Sequence, residues 1–116
     1  MKYSNVVVAG GGVLGSQIAF QAAYCGFNVT IWLRSEGSIG RTQPKIDHLK
    51  QTYIEAIEKM AEDKNAWCAG LADEDTFDKE ECLKKVENAY ANLKLELDMA
   101  KAVADADLVN VQPAGE

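Results

Sequence analysis

Asn5 to Ala9 is a nearly unbroken apolar run. Apolar residues at every position, rather than at alternate ones, predict a strand covered on both faces, as in a parallel sheet. Residues 13–24 then carry Leu14, Ile18 and Ala22 at helical spacing on one face, with Ala19 and Ala23 small enough to allow close approach to a sheet. Gly26 is a natural stop for that helix. A second strand is predicted over 28–33, where Val29, Thr30 and Ile31 cluster. The Ser- and Gly-rich stretch Ser35–Arg41 reads as a loop. Thr42 reads as the cap of a second helix, with Pro44 in its first turn. Along this helix Ile46, Leu49, Tyr53, Ile57 and Met60 recur in steps of three and four, a seam for another helix. After a break from Asn65 to Asp75, a third helix is predicted over 76–91, packing through Cys82, Val86, Ala89 and Tyr90. A short strand at 93–95, a small helix at 98–104 and a strand at 107–111 complete the pattern.

The first strand leads directly into Gly10-Gly11-Gly12-Val13-Leu14-Gly15, a G-x-G-x-x-G opening a helix. Each glycine has its own task at the first turn of a dinucleotide-binding βαβ unit. Gly10 allows the tight turn, Gly12 lets the backbone approach a diphosphate, and Gly15 lets helix and strand pack closely. The helix presents unpaired N–H groups and its positive end to the phosphates. Strand, glycines, helix and second strand together imply a three-layer α/β domain of Rossmann type, one unit over residues 1–116. The expected sheet is mostly parallel, of order 3-2-1-4, with a helical hairpin over 42–91 inserted between strands two and three. Gly10, Gly12, Val13, Leu14 and Gly15 are the expected diphosphate contacts.

The far ribose of the nucleotide should lie beside the end of strand two, where an NAD site usually has an acidic residue. Leu33 stands there, followed by Arg34 and Ser35. A leucine cannot accept hydrogen bonds from ribose hydroxyls, and losing a charged acceptor costs ~1.5–3 kcal/mol. Arg34 can instead pair with a 2′-phosphate, with Ser35 adding a donor. Glu36 lies three residues late. Leu33, Arg34 and Ser35 thus make the expected ribose end, and NADP is expected at least as strongly as NAD.

A net charge of −6 and a pI near 4.8 argue against nucleic acid or an anionic membrane as partner. Cys25, Cys68 and Cys82 form no C-x-x-C pair, which suggests reduced thiols in a cytoplasmic protein rather than a disulfide frame or zinc site. The N-terminus has neither the pattern of a signal peptide nor that of a membrane span. Cys25 reads as a packing residue. Trp32 has two readings, as a flank for adenine or as a sheet aromatic. The acidic run Asp73-Glu74-Asp75, with Asp78, Glu80 and Glu81, lacks calcium-loop spacing and suits the start of the third helix. No metal ligand is assigned.

With these elements in order, the chain resembles the N-terminal portion of the 3-hydroxyacyl-CoA dehydrogenase family. The resemblance rests on Val7 to Ala19, on Gly26-Phe27-Asn28-Val29-Thr30, on the helical insertion, and on Ala104-Asp105-Ala106-Asp107-Leu108-Val109. It implies hydride transfer between a nicotinamide and C3 of a 3-hydroxyacyl thioester or related hydroxy acid, in fatty acid metabolism. It also implies that the hairpin helps to receive CoA. Lys50, Lys59 and Lys64 could face a phosphate there, or could be ordinary solvated lysines. In place of the family's apolar residue and glutamate after Asp-Leu-Val, this chain has Asn110 to Glu116. The family's catalytic histidine and its glutamate are expected beyond this portion; His48 matches neither, and no catalytic residue is assigned. Strand four should then be an exposed edge that favours self-association. A non-catalytic nucleotide-binding or regulatory module, or a flavin- or adenine-nucleotide domain, are the alternatives.

Overall fold

The computed structural model describes residues 5–10, 12–63, 71–72, 77–104 and 106–111, with 108–111 described by their backbone only. Its strands are β1 (Asn5–Ala9), β2 (Asn28–Trp32), β3 (Leu93–Glu96) and β4 (Leu108–Val111). Its helices are α1 (Val13–Tyr24), α2 (Glu36–Glu62), α3 (Lys79–Asn92) and α4 (Met99–Val103). All strand pairs are parallel and the sheet order is β3-β2-β1-β4. This is a Rossmann-like α/β fold, with Val8 opposite Ile31 on one side and Asn110 on the other.

Chain direction dictates the layers. The steps β1 to β2 and β2 to β3 run one way across the sheet, whereas β3 to β4 steps back past two strands. Right-handed crossovers therefore put α1, α2 and α3 on one face and α4 on the other. In agreement, α1, α2 and α3 touch one another, while α4 touches β2 and β3.

The core lies under the three-helix face. Val6, Val8, Val29, Ile31 and Leu33 meet Phe20, Ile46, Ile57 and Val86 in one buried cluster. Phe20 packs edge-on against Tyr53 with ring centroids 4.7 Å apart. The seam read along α2 is on the packed side, with Ile46, Ile57 and Met60 buried and Leu49 and Tyr53 packed against the cluster. Gly26, at φ 103°, closes α1 in a Schellman arrangement: Gly26 N–H donates to the Ala23 carbonyl and Phe27 N–H to that of Ala22.

Three expectations are corrected. The buried face of α1 is Gly15, Ser16, Ala19, Phe20, Ala23 and Tyr24, so Leu14 points outward and Ile18 and Ala22 sit at the margin. A helix apolar nearly all round leaves periodicity little to choose between. Residues 36–41 are not a loop but the first turns of α2, with Ser35 as cap. Thr42 is a buried helix-interior residue, and Pro44 lies inside the helix rather than in its first turn. Proline has no N–H for the Gly40 carbonyl, a loss that water can repair because both positions are exposed. Lastly, α3 begins at Lys79 with Asp78 as its cap, not at Thr76. Cys68, Gly70, Lys64, Asp73-Glu74-Asp75 and Gln112 to Glu116 lie outside the described residues.

A polar clasp joins α2 to α3. The Tyr90 hydroxyl donates to the Asp47 carboxylate at 2.6 Å, and the Gln43 amide donates to the same oxygen at 3.0 Å. Lys50 pairs with Glu87 at 3.3 Å and lies over the Tyr90 ring. Of the two readings for Lys50, this geometry favours the structural one.

Candidate functional site

In an open parallel sheet, ligands bind beyond the carboxyl ends of the strands, where the direction of strand order reverses. Here that switch lies between β1 and β4, and the glycine turn leaves β1 at that point. Gly10 donates its N–H to the Trp32 carbonyl at 3.0 Å, tying the turn to the end of β2, and turns away with φ 123°. That left-handed value is open to glycine and costly for other residues.

Gly12 caps α1 in ordinary extended backbone (φ −69°, ψ −177°), and its carbonyl accepts the Ser16 N–H at 2.9 Å. It supplies no side-chain acceptor, and the first turn contains no acid. The other helices differ. Ser35 caps α2, Asp78 caps α3 and Asp98 caps α4, each accepting a backbone N–H through its side chain. The start of α1 thus lacks the side-chain acceptor that the other three helices provide for themselves. Gly15 is buried, whereas Val13 and Leu14 are 64% and 60% exposed beside the turn.

At the end of β2 the three expected ribose-end residues separate. Leu33 is 1% exposed, belongs to the core cluster and donates its N–H to the Glu96 carbonyl at 2.9 Å. Its side chain therefore offers the crevice nothing, and only Arg34 and Ser35 of the three are exposed. Trp32 is half-buried, with its indole N–H donated to the Leu97 carbonyl at 2.9 Å. The Glu96 carboxylate accepts from the N–H groups of Leu97 and Asp98, which fixes the loop after β3.

Sequence reasoning missed Ser38 and Arg41. The Arg41 guanidinium folds back along α2 and donates to the Ser38 hydroxyl at 3.0 Å, which is 3.3 Å from that of Ser35. Ser38 and Arg41 are three residues apart, a spacing that brings side chains together only if the stretch is read as helix.

His48 is exposed on α2 and lines a mostly apolar cleft of about 300 Å³ with Val13, Gln17, Pro44, Lys45 and Leu49. Burial pushes the Tyr53 hydroxyl up to about 12 and raises that of Tyr24, which donates to the Leu71 carbonyl at 2.6 Å. The hydrogen bond between Tyr90 and Asp47 lowers the carboxyl and raises the phenol. Cys25 is exposed, so it is not the packing residue expected, while Cys82 is buried. Among the described residues no group of three or more His, Cys, Asp or Glu side chains could hold a metal ion, and no helix is long and apolar enough to cross a membrane.

The family model for the 3-hydroxyacyl-CoA dehydrogenase NAD binding domain matches residues 5–111. Among solved structures, a diketoreductase described as a catalyst for dicarbonyl compounds is 30% identical with a TM-score of 0.69, covering 100% of this chain and 34% of its own. FadB2 from M. tuberculosis is 22% identical (TM-score 0.63), with 100% of this chain and 33% of its own covered. The 3-hydroxybutyryl-CoA dehydrogenase of Escherichia coli K12 is 20% identical (TM-score 0.60), the shares being 100% and 20%. These last two carry the fold. The chain thus spans about a third or less of these relatives' lengths. None of the curated proteins matches directly. The glycine turn, the uncapped α1 and the match over residues 5–111 converge: this chain belongs to the 3-hydroxyacyl-CoA dehydrogenase family, as its NAD-binding domain.

Proposed function

We propose that the chain holds a nicotinamide dinucleotide with its diphosphate against Gly10, Gly12, Val13, Leu14 and Gly15 and its adenosine ribose beside Arg34 and Ser35. The observation that carries this reading is the side-chain-free start of α1, placed by a left-handed glycine at the sheet's switch point. Leu33 enters only by setting the path of the chain, since its side chain is in the core. With no acid at that position and Arg34 exposed next to it, NADP is favoured over NAD.

Within a longer family member this domain would serve hydride transfer, the nicotinamide exchanging a hydride with C3 of a 3-hydroxyacyl thioester or related hydroxy acid in the cytoplasm. The apolar cleft between α1 and α2, with Lys45 and His48 in its lining, supports a place for part of an acyl-CoA. Among the described residues β4 is an edge strand, and an edge of this kind supports self-association, which sedimentation at high protein concentration would reveal. The non-catalytic module is the second reading, in which the glycine turn and the start of α1 hold the nucleotide and the chain does no chemistry of its own.

Calorimetric titration with NADH and NADPH tests the first reading. Both should bind, NADPH more tightly, and Arg34→Gln should reduce that margin by about tenfold, as expected for loss of one charge-assisted contact. Tighter binding of NADH would overturn the preference, and failure to bind either nucleotide would overturn the site. Added acetoacetyl-CoA separates the two functions: reduction by the chain alone would sink the non-catalytic module.

A further inference from the structure

We infer that Arg41, held by Ser38 against Gly37, is a second guanidinium for the ribose 2′-phosphate and sets the nucleotide preference together with Arg34. The inference rests on the reading above, in which the ribose lies beside Arg34 and Ser35. Side chains on a helix lean toward its N-terminus, so a long residue in the second turn can reach the mouth of the helix. Arg41 does so. Its Nη2 donates to the Ser38 hydroxyl at 3.0 Å, and a Cβ on Gly37 would stand 3.3 Å from its Nη1. The guanidinium therefore lies along the first turn of α2, over a residue with no side chain. Two hydroxyls, Ser38 and Ser35 at 3.3 Å, connect it to the cap.

Anchor and cation differ in exposure. Ser38 is 1% exposed, fixed in the packed face of α2, whereas Arg41 and Arg34 are both at the surface. Between residues 34 and 41 the charges are two arginines against one glutamate, Glu36, the sole acid in the first turn of α2. This chemistry discriminates between the two nucleotides. A guanidinium is a planar fork of five donors with no acceptor, suited to a phosphate monoester and unable to accept from a bare ribose diol. Ser38 is a positioning residue and Arg41 the contacting one.

The test compares NADPH with NADH, and adenosine 2′,5′-bisphosphate with AMP, by calorimetry on the whole chain. Arg41→Gln should weaken NADPH and the bisphosphate about tenfold while leaving NADH and AMP within about twofold. Ser38→Ala and Gly37→Ala should each lower NADPH affinity by about threefold and leave NADH unchanged. Gly37→Ala also favours the helix, so a folding defect would not explain its loss. A merely structural role would move both nucleotides together and leave their ratio fixed. If Arg41→Gln and Gly37→Ala leave the ratio unchanged while Arg34→Gln lowers it, the role of Arg41 is overturned and the ribose reading survives. If the unaltered chain prefers NADH or binds neither nucleotide, both fall.

Discussion

Two strand-to-helix junctions stand side by side at the carboxyl edge of the sheet, and they solve the same problem in opposite ways. After β2, Ser35 accepts an N–H of α2, Glu36 adds negative charge to its first turn, and Ser38 and Arg41 extend the polar cluster. After β1, α1 begins on Gly12 with no side-chain acceptor and no acid. A good cap stabilises a helix by about 1 kcal/mol. The second junction is complete within the chain, whereas the first has no side-chain acceptor of its own and, on the proposed reading, is finished by the nucleotide's diphosphate. Only the first is therefore expected to carry affinity common to every dinucleotide, and the second to carry the distinction between them.

The comparison breaks most visibly if α1 is given the cap that α2 has. Gly12→Asp is conformationally permitted, because φ −69° and ψ −177° suit any residue. The new carboxylate would take the N–H groups offered to the diphosphate and repel it. Affinity for NADH and NADPH should fall alike, by about 100-fold or more, the equivalent of about 2.7 kcal/mol. The melting temperature should hold or rise slightly, since an Asp cap exceeds a Gly cap by a few tenths of a kcal/mol. Calorimetry and a thermal melt read both effects, and retained binding would end the argument for the first junction.

The two junctions were also unequally legible in the sequence. The backbone of the first was legible, because the turn at Gly10, the helix start at Gly12 and the buried Gly15 depend on the absence of side chains, and absence is visible in a sequence. The rotation of α1 was legible only in part: Ala19 and Ala23 pack inward as read, but its apolar residues surround the helix and only packing decides that Phe20, not Leu14, joins them. The second junction was misread. Ser35, Gly37, Ser38 and Gly40 look like loop residues, yet the seam of α2 continues upstream as Ser38, Thr42 and Ile46 at steps of four. Small polar residues can line a buried helix face as apolar ones do, and a hydrophobic period does not register them. Misplacing that start hid the contact of Arg41 with Ser38, which exists only if residues 36–41 are helical.

A smaller change sharpens the contrast from the other side. Ser35→Ala removes the acceptor of α2, whose bond to the Ser38 N–H is long at 3.4 Å, so the loss of stability should sit near the low end for caps, about 0.5–1 kcal/mol. Chemical denaturation measures it. NADH affinity should change by less than about threefold, since the diphosphate meets the other junction. A large fall in NADH binding would mean that the two junctions do not divide the work as argued.

The smallest effect concerns what holds the long start of α2 in place. Asp47, three turns into α2, is joined to α3 by the Tyr90 hydroxyl, and that bond lowers the carboxyl's pKa and raises the phenol's. A lowered carboxyl contributes stability that is complete above the ordinary value of about 3.9 and is lost as the pH falls through the folded value. A raised phenol contributes stability that is complete below its ordinary value of about 10 and is lost as the pH rises through the folded one. The clasp should thus be at full strength between about pH 5 and 9. Below pH 5 the unaltered chain should lose melting temperature more steeply than Asp47→Asn, which keeps an acceptor but no longer titrates. Both partners reach solvent, so screening should keep the difference to about a degree. Parallel melting curves for the two chains from pH 5 to 3 would remove the clasp as a support of α2 and leave its core seam to position Arg41.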